Sequence, residues 1–239
     1  MSTQVIQVDS KKDVQVKAKI KKHIVYLRDH SGSMKKIQEA VLAATNDDIS
    51  QIKKVGNDET AITIVDFDSY VKPPTLLRAP VSDLRKMSKE SYQPSRGFTA
   101  LYDGIGSTID LVKKFDGIND KDTSVYFVIV SDGEENRSKH YSAAQVAKMI
   151  QDCTDTGRWK FIYIGANQNV AKTVDMLGIS RGNAMSYTAG GKQYLKASSI
   201  NRAALTNFVK KTGPVAKDHN LLVDVAKANE DGIVDADKQ

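Results

Sequence analysis

Residues 24–34 read Ile-Val-Tyr-Leu-Arg-Asp-His-Ser-Gly-Ser-Met, and the interpretation of the whole chain depends on this stretch. Its first residues are apolar or β-branched, which is typical of a strand buried on both faces of a parallel sheet. Asp29, Ser31 and Ser33 then alternate, so an extended loop can direct all three side chains to one point, and Gly32 permits a turn there. The stretch therefore predicts a strand whose carboxyl end carries a site lined by oxygen atoms.

These oxygen-bearing side chains form a partial coordination shell for a hard cation. Mg²⁺ and Mn²⁺ prefer oxygen ligands, and Mg²⁺ usually keeps several of its waters. Two later segments offer further oxygens: Gly-Phe-Thr-Ala-Leu-Tyr-Asp-Gly at 97–104 and Val-Ile-Val-Ser-Asp-Gly-Glu-Glu-Asn at 128–136. For Asp-His-Ser-Gly-Ser at 29–33 taken alone, the alternative is ordinary N-capping, because Ser and Asp are favoured where a helix begins.

Three motifs, taken together and in this order, resemble a von Willebrand factor A (vWA) domain with a complete metal-ion-dependent adhesion site (MIDAS). They are Asp-x-Ser-x-Ser at 29–33, Gly-x-Thr at 97–99, and a strand ending in Ser-Asp-Gly at 131–133. The resemblance implies that Mg²⁺ or Mn²⁺ is contacted directly by Ser31, Ser33 and Thr99, and that Asp29 and Asp132 hold its waters or bind it directly. It also implies one open position for an acidic side chain of a protein partner.

Three residues beside these motifs are candidates for supporting roles. Gly97 opens the Gly-x-Thr motif. Asp103 lies one helical turn after Thr99, where it either hydrogen-bonds the metal loop or lies on the helix surface. Glu134 follows the Ser-Asp-Gly motif at the rim of the site, where it either selects ligands or faces solvent.

The later half of the chain has a narrower resemblance, to stand-alone cytoplasmic vWA proteins of bacteria and their phages. The segments that carry it are Ser-Asp-Gly-Glu-Glu-Asn at 131–136, Trp-Lys-Phe-Ile-Tyr-Ile-Gly-Ala-Asn-Gln at 159–168 and Gly-Asn-Ala-Met-Ser-Tyr at 182–187. Together the two resemblances cover residues 22–212. They imply an adaptor that works within a larger cytoplasmic assembly.

Strand-like and helix-like patterns alternate along the chain, and this predicts an α/β fold. We expect a doubly wound, Rossmann-like, mostly parallel sheet with helices on both faces and one antiparallel edge strand. Further strands are predicted at 61–67, 70–77, 124–130, 159–164 and 184–187. Helices are predicted at 35–55, 100–115, 170–177 and 191–211. A short helix is expected to be capped by Ser82-Asp83-Leu84, and another begins after Ser142 and buries Cys153.

The 239 residues favour one domain with two extensions, which we expect at 1–21, 22–212 and 213–239. Residues 1–22 carry six lysines against two aspartates, and 214–239 carry three lysines against six acidic residues. The basic extension alternates apolar and polar residues, which favours an edge strand with solvated lysines. The alternative is nucleic-acid or ribonucleoprotein binding through the basic surface of this extension and the core. The acidic extension is predicted to be partly disordered.

Cysteine usage and hydropathy bear on the compartment. The single cysteine cannot form an internal disulfide, the chain lacks an 18-residue apolar run, and its first residues lack the layout of a signal peptide. These features predict a cytoplasmic protein without membrane contact. The oligomeric state is left open by the sequence.

An enzymatic function is not favoured. A Mg²⁺ phosphatase of the haloacid dehalogenase type needs a second acid two residues after Asp29, and Ser31 stands there. Asp66 and Asp68 lack a nearby base or nucleophile, which leaves them as polar residues at a strand end. Gly104 and Gly106 lack the spacing of a phosphate-binding loop, which favours close helix packing. The sequence thus predicts a non-catalytic, metal-dependent protein-binding module.

Overall fold

The computed structural model describes residues 19–94, 97–166, 170–188, 190–211 and 221–222. In these ranges, strands and α helices alternate as β1 (Lys22–Asp29), α1 (Gln38–Val55), β2 (Thr60–Phe67), β3 (Leu76–Pro80), α2 (Leu101–Lys113), β4 (Ser124–Ser131), α3 (Ala143–Asp155), β5 (Trp159–Ala166), α4 (Val170–Leu177), β6 (Ala184–Tyr187) and α5 (Gly191–Lys210). The edge strand expected in the basic extension lies almost wholly outside the described ranges.

The described strands form one sheet with the order β3-β2-β1-β4-β5-β6. All neighbours are parallel except β2 and β3, which are antiparallel. The predicted fold class, including its antiparallel edge strand, is confirmed. The strand order reverses between β1 and β4, and ligands of open α/β sheets bind at the carboxyl ends of the strands beside such a reversal.

Helices cover both faces of the sheet because successive strand residues point to opposite sides. Ile24 and Tyr26 of β1 pack with α1 and α5 on one face. Val25 and Leu27 pack with α2, α3 and α4 on the other. The central strands are therefore buried on both sides, which explains why their sequences are almost continuously apolar.

Two element boundaries differ from the prediction. The edge strand was predicted at 70–77, but β3 begins only at Leu76. Pro73 and Pro74 have no N–H to donate to a ladder, so regular pairing with β2 starts after them. The helix predicted from residue 35 begins instead as a 3₁₀ helix at Gly32–Ile37, and α1 follows from Gln38.

Other local predictions are confirmed by the packing. A Cβ on Gly104 would lie 3.0 Å from the ring of Phe67, and one on Gly106 would lie 2.5 Å from the ring of Tyr141. Both glycines thus serve close packing of α2. Ser142 caps α3 in a capping box with Gln145, and the Cys153 thiol is buried.

The packed body extends beyond residue 212, where we placed the end of the domain. Leu221 and Leu222 are buried in the core, and the Leu221 N–H donates to Asn183 Oδ1 at 3.0 Å. The remainder of the acidic extension lies outside the described residues. In the part of the chain that the structure describes, none of the helices combines the length and apolarity needed to cross a membrane.

His23, the second residue of β1, gives the fold a testable pH dependence. It is 1% exposed, and its Nε2 has no hydrogen-bond partner among the described residues. Burial, and then the positive charge of Arg78, lower the pKa of His23 to about 4. The unfolded chain takes up this proton near pH 6.5 whereas the folded chain does not, so stability should fall as the pH drops from 6.5 to 4, by up to about 3 kcal/mol.

Urea unfolding between pH 4 and pH 7 measures this dependence. His23→Gln stays neutral throughout that range and is the matched control, since both proteins share every other titrating group. We expect the variant to lose less stability on acidification than the unsubstituted protein. Equal losses in the two proteins would show that His23 carries no such penalty.

Candidate metal centre

Three chain segments meet at the crevice between the carboxyl ends of β1 and β4. The loop after β1 places Ser31 Oγ 3.0 Å from Ser33 Oγ. Ser33 Oγ donates to Asp132 Oδ1, just after β4, at 2.6 Å. Residues 99 positions apart in the chain are thus in direct contact, as the topology of parallel strands requires.

The Asp29 side chain links the carboxyl ends of β1 and β4 by hydrogen bonds. Its Oδ1 accepts the Ser31 N–H at 2.8 Å, and its Oδ2 accepts the Ser131 hydroxyl at 2.7 Å. Burial raises the pKa of Asp29 to about 6, although its hydrogen bonds act in the opposite direction. Burial likewise raises the pKa of Asp132. Two carboxylates that are costly to leave charged are suited to a cation that neutralises them.

Thr99 enters the crevice from the segment before α2. Its N–H donates to Asn136 Oδ1 at 2.9 Å, and its carbonyl accepts the Asn136 N–H at 3.1 Å. A Cβ built on Gly133 would lie only 2.7 Å from Thr99 Oγ1. The missing side chain at Gly133 therefore leaves the space that the Thr99 hydroxyl occupies. Gly97 allows a close but less extreme approach, since its Cβ would lie 3.2 Å from Asp68 Cβ.

Asp103 has a role that neither sequence interpretation anticipated. Its side chain is 4% exposed, so it does not lie on the helix surface. It accepts the N–H groups of Lys139, His140 and Tyr141 at 2.8–2.9 Å. Burial alone would raise the pKa of Asp103, but these three N–H groups lower it. Asp103 therefore anchors the segment that follows the β4 loop and makes no hydrogen bond to the loop at 29–33.

Glu134 and Glu135 differ in their surroundings. Glu134 is exposed, as the solvent-facing alternative supposed. Glu135 accepts the N–H groups of Arg137 and Ser138, each at 2.7 Å, and that of Tyr102 at 3.0 Å. It joins the β4 loop to the start of α2. The two neighbouring glutamates have the same chemistry, so only the fold separates their roles.

Beneath the site lies a buried polar support. The Tyr92 hydroxyl donates to the carbonyl of Asp29 at 2.6 Å, and the Arg28 guanidinium lies 4.6 Å from the centre of the Tyr92 ring. Arg28 also forms a two-bond ion pair with Asp66, with Nε–Oδ1 at 2.8 Å and Nη2–Oδ2 at 3.0 Å. Asp68 pairs separately with Lys72 at 3.0 Å. Each of the two carboxylates is thus paired with a cation, Asp66 with Arg28 and Asp68 with Lys72.

His30 also supports the metal loop, from the position that the motif leaves variable. Its Nδ1 lies 2.9 Å from Lys72 Nζ, and its Nε2 lies 3.1 Å from the Gln93 nitrogen. Burial, and then Lys72, lower the pKa of His30. The ring therefore joins the loop after β1 to the segments at 72 and 93.

The chemistry of the site fits a hard cation. The side chains of Ser31, Ser33, Thr99, Asp29 and Asp132 offer only oxygen, which Mg²⁺ and Mn²⁺ prefer. Across the described ranges, no group of three or more His, Cys, Asp or Glu is arranged to hold a metal. A cation here would therefore be held by hydroxyls together with carboxylates. Whether these residues bind a metal stays a prediction.

Comparison with known proteins agrees with this architecture. Residues 11–156 match the family model described as VWA domain containing CoxE-like protein. Comparison with curated protein sequences finds no match.

Solved structures with the same fold include the following three. Proximal thread matrix protein 1 of the mussel byssus, with a zinc-occupied MIDAS motif, is 15% identical with a TM-score of 0.60, covering 79% of this chain and 46% of that one. A von Willebrand factor type A protein from Catenulispora acidiphila is 15% identical with a TM-score of 0.54, covering 78% and 43%. The pilus adhesin SpaC from Lactobacillus rhamnosus GG, in its open conformation, is 10% identical with a TM-score of 0.62, covering 80% and 30%. This chain spans less than half the length of each, and likeness at these identities concerns the fold alone.

Proposed function

Because the chain belongs to the family of VWA-domain-containing CoxE-like proteins, we propose that it is a non-catalytic module that binds a protein partner through a divalent cation. The observation that carries the proposal is the contact of Ser31, Ser33 and Asp132 in the crevice between β1 and β4. In this account Mg²⁺ or Mn²⁺ is held by Ser31, Ser33 and Thr99, with Asp29 and Asp132 binding it or its waters. The bound cation supplies a positive charge that attracts a carboxylate.

One side of the site is open to solvent, which favours a cation that binds a partner's side chain over a cation with a purely structural role. Ser33 is exposed and Asp132 is only half-buried, whereas Asp29 beneath them is fully buried. The three proposed direct ligands are neutral, so the cation retains much of its charge on the side that faces solvent. An Asp or Glu of a partner is the complementary group for that position.

The surroundings of the site do not favour catalysis. A hydrolase of the phosphatase type needs a general acid or base beside Asp29, and Ser31 occupies that position. The nearby carboxylates of Asp66, Asp68 and Asp103 are engaged by Arg28, Lys72 and three backbone N–H groups. We therefore propose an adaptor within a larger assembly. Its single, buried cysteine suits the reducing cytoplasm, where we place it.

Partner specificity is expected to come from an apolar and basic rim beside Thr99. Phe98 is 56% exposed and Tyr70 is 65% exposed, and the Phe98 N–H donates to Ser69 Oγ at 3.0 Å, which fixes the two loops side by side. The Arg137 guanidinium lies 5.2 Å from the centre of the Phe98 ring. An exposed aromatic ring and a cation next to the metal suit an acidic segment that also carries a large apolar residue.

Selection from a displayed random peptide library, in Mg²⁺ and in EDTA, tests the proposal. We expect peptides selected in Mg²⁺ to share an Asp or Glu. These peptides should no longer bind the unsubstituted protein when EDTA removes the metal, and they should not bind the Ser33→Ala variant. Phe98→Ser should weaken their binding about tenfold, because it removes one aromatic contact at the rim, and should leave Mg²⁺ affinity unchanged. Leu77→Ser is the matched control, since Leu77 is 55% exposed but lies on the edge strand β3.

The same selection can contradict the proposal. Peptides that lack a common acidic residue, or that bind equally well in EDTA, would show that a metal-bound carboxylate is not the mode of recognition. If Leu77→Ser weakens peptide binding as much as Phe98→Ser does, Phe98 and its neighbours do not determine partner specificity, although the metal site would still stand.

A further inference from the structure

Tyr187, the last residue of β6, has a buried hydroxyl without a partner at the carboxyl edge of the sheet. The residue is 4% exposed, and none of the described residues forms a hydrogen bond with its Oη. Native structures pair nearly all buried polar groups with protein or ordered water. The hydroxyl therefore needs a partner that the described part of the chain does not supply.

The strand register places Tyr187 at the level of the candidate metal centre. Tyr187 lies opposite Ala166 of β5, and Ser131 of β4 lies opposite Gly165, one residue earlier in β5. Asp132 is the next residue after Ser131, so Tyr187, Ala166 and Asp132 lie in one row across the carboxyl edge of the sheet. The residue between them, Ala166, has only a methyl side chain. Tyr187 and Ala166 also share one buried cluster with Met34 of the metal loop.

The electrostatics agree with this placement. Burial is the largest cause that raises the pKa of Tyr187, followed by Tyr194 and then by the charges of Asp132 and Asp29. Asp132 Oδ1 already accepts a hydrogen bond from Ser33. Among the described residues, no residue besides Ser33 and Asp132 itself is found to donate to this carboxylate, so it can accept a further hydrogen bond.

We propose that Tyr187 is a positioning residue of the metal centre, whose hydroxyl donates through one ordered water to the Asp132 carboxylate when a divalent cation is bound. The two groups are not in direct hydrogen-bond contact, and a buried water commonly bridges such groups. Partners of this kind orient metal-binding carboxylates and typically change metal affinity 10- to 100-fold. This inference rests on the proposed function.

Two tyrosine-to-phenylalanine variants test the proposal. Tyr187→Phe removes a hydroxyl that is hydrogen-bonded to none of the described residues, so its melting temperature in EDTA should equal or exceed that of the unsubstituted protein. Its dissociation constant for Mg²⁺, measured by calorimetric titration with MgCl₂, should rise about tenfold. Tyr126→Phe is the control, because the Tyr126 hydroxyl donates to Asn201 Oδ1 at 3.0 Å away from the site. It should lower the melting temperature in EDTA and leave Mg²⁺ affinity unchanged.

Three other outcomes would contradict either the role of Tyr187 or the proposed function. If Tyr187→Phe binds Mg²⁺ as well as the unsubstituted protein does, the positioning role is excluded while the metal site stands. If Tyr187→Phe lowers the melting temperature in EDTA as Tyr126→Phe does, the hydroxyl is already paired without metal, which also excludes the role. If the unsubstituted protein binds neither Mg²⁺ nor Mn²⁺, the proposed function fails, and the role of Tyr187 fails with it.

Discussion

Asp66→Ala is expected to lower the free energy of unfolding by about 3–5 kcal/mol, the largest single-residue effect that we expect. The Arg28 and Asp66 side chains are 1% and 5% exposed. Removal of the carboxylate leaves the guanidinium charged, buried and without its partner, and Arg28 cannot lose its proton to relieve this cost. The Thr75 hydroxyl also loses its acceptor on Asp66, at 2.9 Å.

Urea unfolding of three variants distinguishes the cost of leaving Arg28 buried without a partner from the cost of losing an ordinary exposed ion pair. Asp152→Ala removes an exposed partner of Lys148 and should cost at most about 1 kcal/mol. Arg28→Met with Asp66→Leu removes both charges, so it should recover much of the stability that Asp66→Ala loses. If Asp66→Ala costs no more than Asp152→Ala, the buried pair does not stabilise the floor of the site.

Gly133→Ala is expected to weaken Mg²⁺ affinity at least tenfold while leaving the fold intact. The added Cβ would lie 2.7 Å from Thr99 Oγ1, closer than two such atoms can approach. The Thr99 backbone is held by Asn136, so the smallest relief is a rotation of the Thr99 side chain. That rotation removes a proposed ligand from the cation. Loss of a direct ligand should reduce metal affinity at least as much as loss of a residue that only hydrogen-bonds a ligand, which typically reduces it 10- to 100-fold.

A double-mutant cycle tests this mechanism by calorimetric titration. Thr99→Ala should weaken Mg²⁺ binding to a similar degree, and the double variant should be no weaker than either single variant because all three lose the same hydroxyl. Additive losses would show that Gly133 acts on the site by another route. Melting temperatures in EDTA confirm that each variant is folded.

The sequence was sufficient to predict the fold because the decisive signals are local. The apolar run before Asp29 and the comparable run of β4 indicate strands buried on both faces, and each ends in the polar residues of the crevice. The order of strands and helices then determines which strand ends meet. The start of the edge strand differs from the prediction because Pro73 and Pro74 delay its regular pairing until Leu76.

The support of the site was not predictable, because its partners are distant in the chain. Tyr92 is 63 residues from Asp29, and Asp66 is 38 residues from Arg28. Sequence analysis gave Asp66 as a polar strand-end residue and Asp103 as either a partner of the metal loop or a helix-surface residue, but only the fold shows which donors these carboxylates receive. The site residues named from the three motifs do converge, although their binding of a metal stays a prediction.

Thermal unfolding in EDTA, Mg²⁺ and Mn²⁺, for the unsubstituted protein and Ser33→Ala, tests the central claim most directly. Cation at ~100 times its dissociation constant should stabilise the unsubstituted protein by about 2.7 kcal/mol, a rise of several degrees in melting temperature. Ser33→Ala should unfold near the same temperature in EDTA, since Ser33 is exposed, and should show little rise with cation. A cation-induced rise that persists in Ser33→Ala, or its absence from the unsubstituted protein, would contradict the account.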